Sequence, residues 1–170
     1  MTKSCEGEIC ALLVGTMEKI FYYTFDKNYK VICHKVNESG SSSKEIGDID
    51  IYIYYNEKYY YSIEVKDKNF TVEDLDFALN KMFINNAVSG SFIYGPRAEF
   101  DVASINSCIT RYENEKFIVI FENIFDYLKH MLANIQHINM DNVKEFLIVT
   151  SEEMAIKDIT KNWILEVVSR

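Results

Sequence analysis

The chain has 170 residues, of which 48% are hydrophobic and 26% charged, and its formal net charge is −8. That size and apolar content suffice for one buried core and exclude a chain that is disordered by composition. The acidic balance argues against a non-specific polyanion binder, because phosphate contacts come mainly from Lys and Arg.

The start is not expected to be a signal peptide, since its apolar stretch, Ile9 to Val14, is short and follows Glu6 and Glu8. No run approaches the roughly 20 apolar residues of a membrane span, so a soluble, cytoplasmic protein is expected. Cys5, Cys10, Cys33 and Cys108 form no CxxC pair and have no His at zinc spacing. They are expected to be free thiols in a reducing compartment. His34, His130 and His137 are scattered and are not expected to be ligands.

Residues 5–24 place Ile9, Leu13, Met17, Ile20 and Phe21 at helical spacing, with Glu6 and Glu8 near the positive end of the helix dipole. A strand is predicted over 29–36, and 37–45 reads as a polar Ser/Gly loop. In 47–55, Asp48, Asp50 and Tyr52 alternate with Ile49, Ile51 and Ile53. In 59–66, Tyr60, Ser62, Glu64 and Lys66 alternate with Tyr61, Ile63 and Val65. Two strands of a hairpin result, with the turn at 56–58. Thr71 and Asp74 open a helix carrying Val72, Leu75, Leu79, Met82 and Phe83. A short strand at 91–94 stops at Gly95-Pro96, and 98–112 reads as helix. Phe117 to Phe121 is expected to be a strand buried on both faces. Helices are expected over 123–137, 141–149 and 152–168, the last capped by Thr150 with Glu153. This order predicts an α/β fold: a mixed sheet, antiparallel meander first and parallel strands later, flanked by helices. One domain is expected over 1–170, with a core of about 5–121 and a helical part at 122–170.

Residues two apart on a strand share a face, so Asp48 groups with Asp50, and Glu64 with Lys66. A two-residue turn would pair Asp48 with Val65 and send the two groups to opposite faces. A three-residue turn over 56–58, or five residues over 55–59, pairs Asp50 with Glu64 and Asp48 with Lys66. The second register also collects Ile49, Ile51, Ile63 and Val65 into one core surface, and is therefore preferred. Three carboxylates gathered in this way repel one another unless a cation intervenes. Oxygen donors with no thiolate or imidazole at hand favour Mg²⁺ or Mn²⁺.

The segments GDIDI (47–51) and IEVKDK (63–68) resemble motifs II and III of the PD-(D/E)xK nuclease superfamily, and most resemble those of type II restriction endonucleases. The αβββαβ order is similar over roughly residues 5–95, whereas Gly47 stands where a proline often precedes the aspartate. The resemblance implies a metal-dependent endonuclease acting on double-stranded DNA. Glu64 and Asp48 or Asp50 would be ligands, and Lys66 the catalytic lysine. It implies a homodimer or a partner subunit as well, because cutting both strands takes two sites. Auxiliary roles are considered for Glu8 and Lys81, and DNA contacts for Ser42, Ser43, Lys44 and Lys68. The rival expectations are a non-catalytic subunit or assembly module of the same fold, and a repair or junction-resolving nuclease. An amphipathic hairpin with charges facing water is the plainest alternative for the constellation itself.

Overall fold

Five strands form one sheet in the spatial order β1-β2-β3-β4-β5. They are β1 (Tyr29–Cys33), β2 (Ile49–Ile53), β3 (Lys58–Lys66), β4 (Ser89–Tyr94) and β5 (Ile118–Asn123). The computed structural model describes residues 7–25, 28–35, 45–53, 58–135 and 138–168. β1, β2 and β3 are antiparallel, and β4 and β5 run parallel to β3, as the mixed-sheet expectation requires. Helices α1 (Glu8–Phe25), α4 (Ile124–Asn134), α5 (Met140–Glu153) and α6 (Asp158–Val168) accompany α2 (Val72–Ile84) and α3 (Val102–Asn114). Among the described residues, no helix is long and apolar enough to cross a membrane.

Two cores lie on the two sides of the sheet. Ile49, Ile51, Ile63 and Val65 face α1, α4 and α5, where Leu12, Val14, Tyr127, Leu147 and Met154 complete the cluster. Phe92 and Phe117 face α2 and α3, with Leu75, Leu79, Met82 and Ile105. α1 is buried on more than one stripe because α5 packs on it as well as the sheet. Gly15 permits that approach, since a Cβ there would meet Cys33 Sγ at 2.7 Å and Thr150 Cγ2 at 3.3 Å.

The hairpin places its charges on one face, but by a different route from the odd-length turn. Ile53 pairs with Lys58, so four residues, 54–57, lie between the paired ends. A bulge between Ile51 and Tyr52 then shifts the register by one and restores the parity. Beyond it Ile51 pairs with Tyr61, Asp50 with Ser62 and Ile49 with Ile63; the same register continued by one residue sets Asp48 against Glu64, whose charge acts on it. The expected pairs, Asp50 with Glu64 and Asp48 with Lys66, are therefore each displaced by two residues.

Thr71 caps α2 with the expected box: Asp74 N–H donates to its hydroxyl oxygen, and Asp74 Oδ2 accepts from Thr71 N–H at 2.9 Å. Other elements correct the sequence reading. β5 is an edge strand, with Ile118 60% and Ile120 41% exposed, not a strand buried on both faces. Thr150 caps nothing; it is buried inside α5, which continues to Glu153, and α6 begins only at Asp158. Cys10, Cys33 and Cys108 are buried free thiols, whereas Cys5 lies outside the described residues.

Candidate active site

The approach to β2 is shaped by Gly47. A Cβ there would stand 2.5 Å from Ser62 Oγ and 2.6 Å from the Ile63 carbonyl oxygen, so no side chain fits without displacing β3. A proline, common at this position in the resembling family, would also lose the Gly47 N–H that donates to Asp50 Oδ1 at 3.1 Å. The next residue joins the sheet. Asp48 N–H donates to the Ile63 carbonyl at 2.9 Å, and its own carbonyl accepts from His34 N–H at 2.9 Å. Its side chain is half-buried and accepts from Val65 N–H at 2.8 Å.

Burial pushes the Asp48 carboxyl up to about 7, and the facing Glu64 carboxylate pushes the same way. The Val65 N–H bond, Lys66 and His34 oppose this without cancelling it. Glu64 and Lys66 are half-buried and form an ion pair at 2.6 Å. Burial alone would lower the Lys66 ammonium, but Glu64, with Asp48 and Asp74, outweighs it and holds the group above the ordinary lysine range. Asp48, Glu64 and Lys66 thus form one electrostatic unit: two acids sharing one cation.

Asp50 is built differently. It is fully buried, and both carboxylate oxygens are engaged by protein groups. Oδ1 accepts from Gly47 N–H and the Ser62 hydroxyl, while Oδ2 accepts from Ile46 N–H at 3.0 Å and lies 2.7 Å from His34 Nε2. Four partners occupy the lone pairs a carboxylate offers. They brace residues 46–50 into the bend that presents Asp48. His34, not expected to take part, reaches this brace from the residue just after β1. Its place follows only from the β1–β2 register, in which Ile32 pairs with Asp50.

Asp67, the residue after Lys66, is anchored as well. Its side chain is 10% exposed and pairs with Arg97 Nη2 at 2.7 Å and Nε at 2.9 Å. The buried Cys10 thiol on α1 is pushed up to about 12, chiefly by burial and then by Asp67. The end of β3 is thereby tied to α1 and to the loop after β4, which fixes the strand carrying Lys66.

The remaining candidates do not join this cluster. Glu8 is 1% exposed, and its Oε2 accepts from the Thr160 hydroxyl at 2.7 Å, so it ties α1 to α6. Lys81 is half-buried in the last turn of α2, about 10 Å along the helix from Asp74, the α2 residue that acts on Lys66. Lys68 is exposed. Ser42, Ser43 and Lys44 lie outside the described residues. Among the described residues, no three His, Cys, Asp or Glu side chains stand close enough to hold one metal ion. The side chains that could face an ion here are Asp48 and Glu64, whose mutual repulsion a cation between them would relieve.

Residues 1–96 match the family model of the SacI restriction endonuclease C-terminal domain. The match spans α1 to the end of β4 and includes Asp48, Asp50, Glu64 and Lys66. No curated protein matches the chain. With more than half of its length matched in this way, the chain belongs to the SacI restriction endonuclease C-terminal domain family.

Proposed function

We propose that the chain is a Mg²⁺- or Mn²⁺-dependent endonuclease of the PD-(D/E)xK type, hydrolysing phosphodiester bonds in double-stranded DNA. The observation that carries the reading is Asp48 set opposite Glu64 across β2–β3, with its carboxyl held near 7 and Lys66 2.6 Å from Glu64. An ion bound there would supply Lewis acidity to a phosphoryl oxygen and acidify an attacking water. Asp48 and Glu64 would hold it, with water filling the other positions, as Mg²⁺ ordinarily retains several. Asp50 positions Asp48 through the 46–50 brace and is not itself a ligand in this reading. Lys66 remains cationic in its acidic surroundings, so it donates: it orients the water and stabilises charge on the phosphate, and it does not take up the proton. The acidic balance of the chain is offset locally by the ion and by Lys66 and Lys68.

The absence of a three-residue ligand group among the described residues favours a second reading, a non-catalytic module of the same family. One experiment separates the two. Linear duplex DNA is incubated with the protein in Mg²⁺, with and without chelator, alongside Lys66→Ala and Glu64→Ala variants shown by circular dichroism to be folded. Chelator-sensitive cleavage is expected, falling by at least about a hundredfold in either variant. A folded wild-type chain that neither cuts DNA nor binds Mn²⁺ in a Glu64-dependent way would favour the module. Cleavage undiminished by Lys66→Ala would remove that lysine from the mechanism.

A further inference from the structure

On the side of the sheet that carries Glu64 and Lys66, α2 packs on β3 and β4, and α3 packs on β5. β1 and β2 lie beyond those helices. In β1, Tyr29, Val31 and Cys33 turn into the α1-side core, so Lys30 and Ile32 face the opposite way. In β2, Ile49 and Ile51 turn into the same core, which leaves Asp50 and Tyr52 on the face of Lys30 and Ile32. The register agrees: Ile32 pairs with Asp50 and Lys30 with Tyr52, without a shift along β1–β2. Lys30 is exposed, and Ile32 and Tyr52 are half-buried.

This open face is continuous with the candidate site. Asp48 stands four residues before Tyr52, the partner of Lys30, so Lys30 lies about 13 Å along the strands from it, at about 3.3 Å per residue. Lys66 lies on the other side of the acid pair, two residues past Glu64 on the same face of β3. Along the strands the order is therefore lysine, acid pair, lysine. Of the other acids nearby, Asp50 is buried among its donors, and Glu45 stands 3.8 Å from His34. An ion between Asp48 and Glu64 would make the whole line complementary to a polyanion. The spacing also suits a duplex, in which about 13 Å corresponds to about four base-pair steps.

Building on the nuclease reading, we propose that the open β1–β2 face seats duplex DNA beyond the scissile phosphate. Lys30 pairs with a backbone phosphate about four base-pair steps from the cut, and Ile32 and the Tyr52 ring form the floor beside it. Lys30 extends the grip on the substrate and does not touch the reacting atoms.

Binding of a linear duplex by the full chain, followed by fluorescence anisotropy across a salt series with Ca²⁺ in place of Mg²⁺, tests this. Each phosphate contact contributes about 0.9 to the slope of log affinity against log salt, so Lys30→Ala is expected to make the slope shallower by about 0.9. Lys30→Gln should do the same, and Lys30→Arg should keep the wild-type slope. Lys129→Ala removes the same charge from an exposed position on α4, across the sheet, and is expected to change nothing. Circular dichroism reports the fold of each variant. Folded Lys30→Ala or Lys30→Gln chains with the wild-type slope overturn the proposal and leave the nuclease reading standing. So does an equal loss in Lys129→Ala, which would mark a general effect of net charge. A wild-type chain that binds no duplex at any salt concentration overturns both.

Discussion

Asp48, just before β2, and Asp50 within it stand two residues apart, yet their surroundings separate them completely. Asp50 receives four donors, whereas Asp48 receives the Val65 N–H and faces another acid. Sequence reasoning groups both with Glu64 because alternation reports the face and says nothing of which carboxylate is already satisfied. That information lies in Ser62, Gly47 and His34, which become partners only once the register is set. The raised Asp48 carboxyl has a consequence for metal binding. With its pKa in the folded protein near 7, above the ordinary aspartate value, Asp48 keeps its proton across the weakly acidic range. It then contributes stability that is full below the ordinary aspartate pKa and declines as pH rises to about 7. A cation must displace that proton. Mn²⁺ affinity measured by calorimetry is expected to rise by up to about tenfold per pH unit on approaching pH 7 and to level off above it. Glu64→Gln removes one source of the shift, so whatever binding it retains should level off at lower pH. A wild-type affinity flat between about pH 5 and 7 would mean that Asp48 is not the group the metal displaces.

At the level of elements, helix C-termini show where the sequence was least readable. α2, α3 and α5 all end with paired return bonds. In α5, Ile156 N–H reaches the Ser151 carbonyl at 3.0 Å and Ala155 N–H reaches that of Glu152 at 3.1 Å. In α3, Phe117 N–H bonds Tyr112 at 3.1 Å and Lys116 N–H bonds Glu113 at 2.9 Å. The motif needs a left-handed residue, usually glycine, yet Asn86, Lys116 and Ala155 occupy it with φ of 60°, 63° and 49°. With no glycine to mark the stop, the sequence pattern ends α5 at 149 and starts α6 at 152, whereas α5 runs to Glu153 and α6 begins at Asp158. The start of α2 was legible because the Thr71–Asp74 box is written in side chains. The β2–β3 pairing was legible in its faces and not in its pairs, since a bulge leaves no mark in an alternating pattern. Ala155 makes the helix-end argument testable. A left-handed L-residue costs roughly 1–2 kcal/mol, part of which glycine returns as unfolded-state entropy. Ala155→Gly is therefore expected to stabilise the chain by about 1 kcal/mol, seen as a rise of roughly 2–4 °C in thermal midpoint. A fall in midpoint would show that the Ala155 methyl contributes packing that outweighs its backbone strain.

Across the whole molecule, the α1 side of the sheet is joined through a buried acid with no role in the proposed chemistry. Glu18 accepts from the Tyr61 hydroxyl on β3 at 2.6 Å and from the Tyr127 hydroxyl on α4 at 2.8 Å, so one carboxyl links α1, the sheet and α4. Burial raises its pKa, and the two tyrosine bonds offset only part of that. Both tyrosines are themselves pushed well above their ordinary range, chiefly by burial and then by Glu18. A carboxyl whose folded pKa exceeds its unfolded one is more protonated in the native state. Its contribution to stability is thus full below the ordinary glutamate pKa and is lost as pH rises through the folded value. The molecule is expected to grow less stable from weakly acidic to neutral pH, with Asp48 and Glu18 acting in the same direction. Glu18→Gln separates their effects, because the amide keeps a hydrogen-bonding partner for each tyrosine and cannot ionise. The difference in unfolding free energy, variant minus wild type, cancels the Asp48 contribution. It should increase in the variant's favour from about pH 5 to pH 8, measured by chemical denaturation in chelator. Parallel curves over that interval would mean that the Glu18 carboxyl titrates alike in the folded and unfolded chains, and that the tyrosine pair fully compensates its burial.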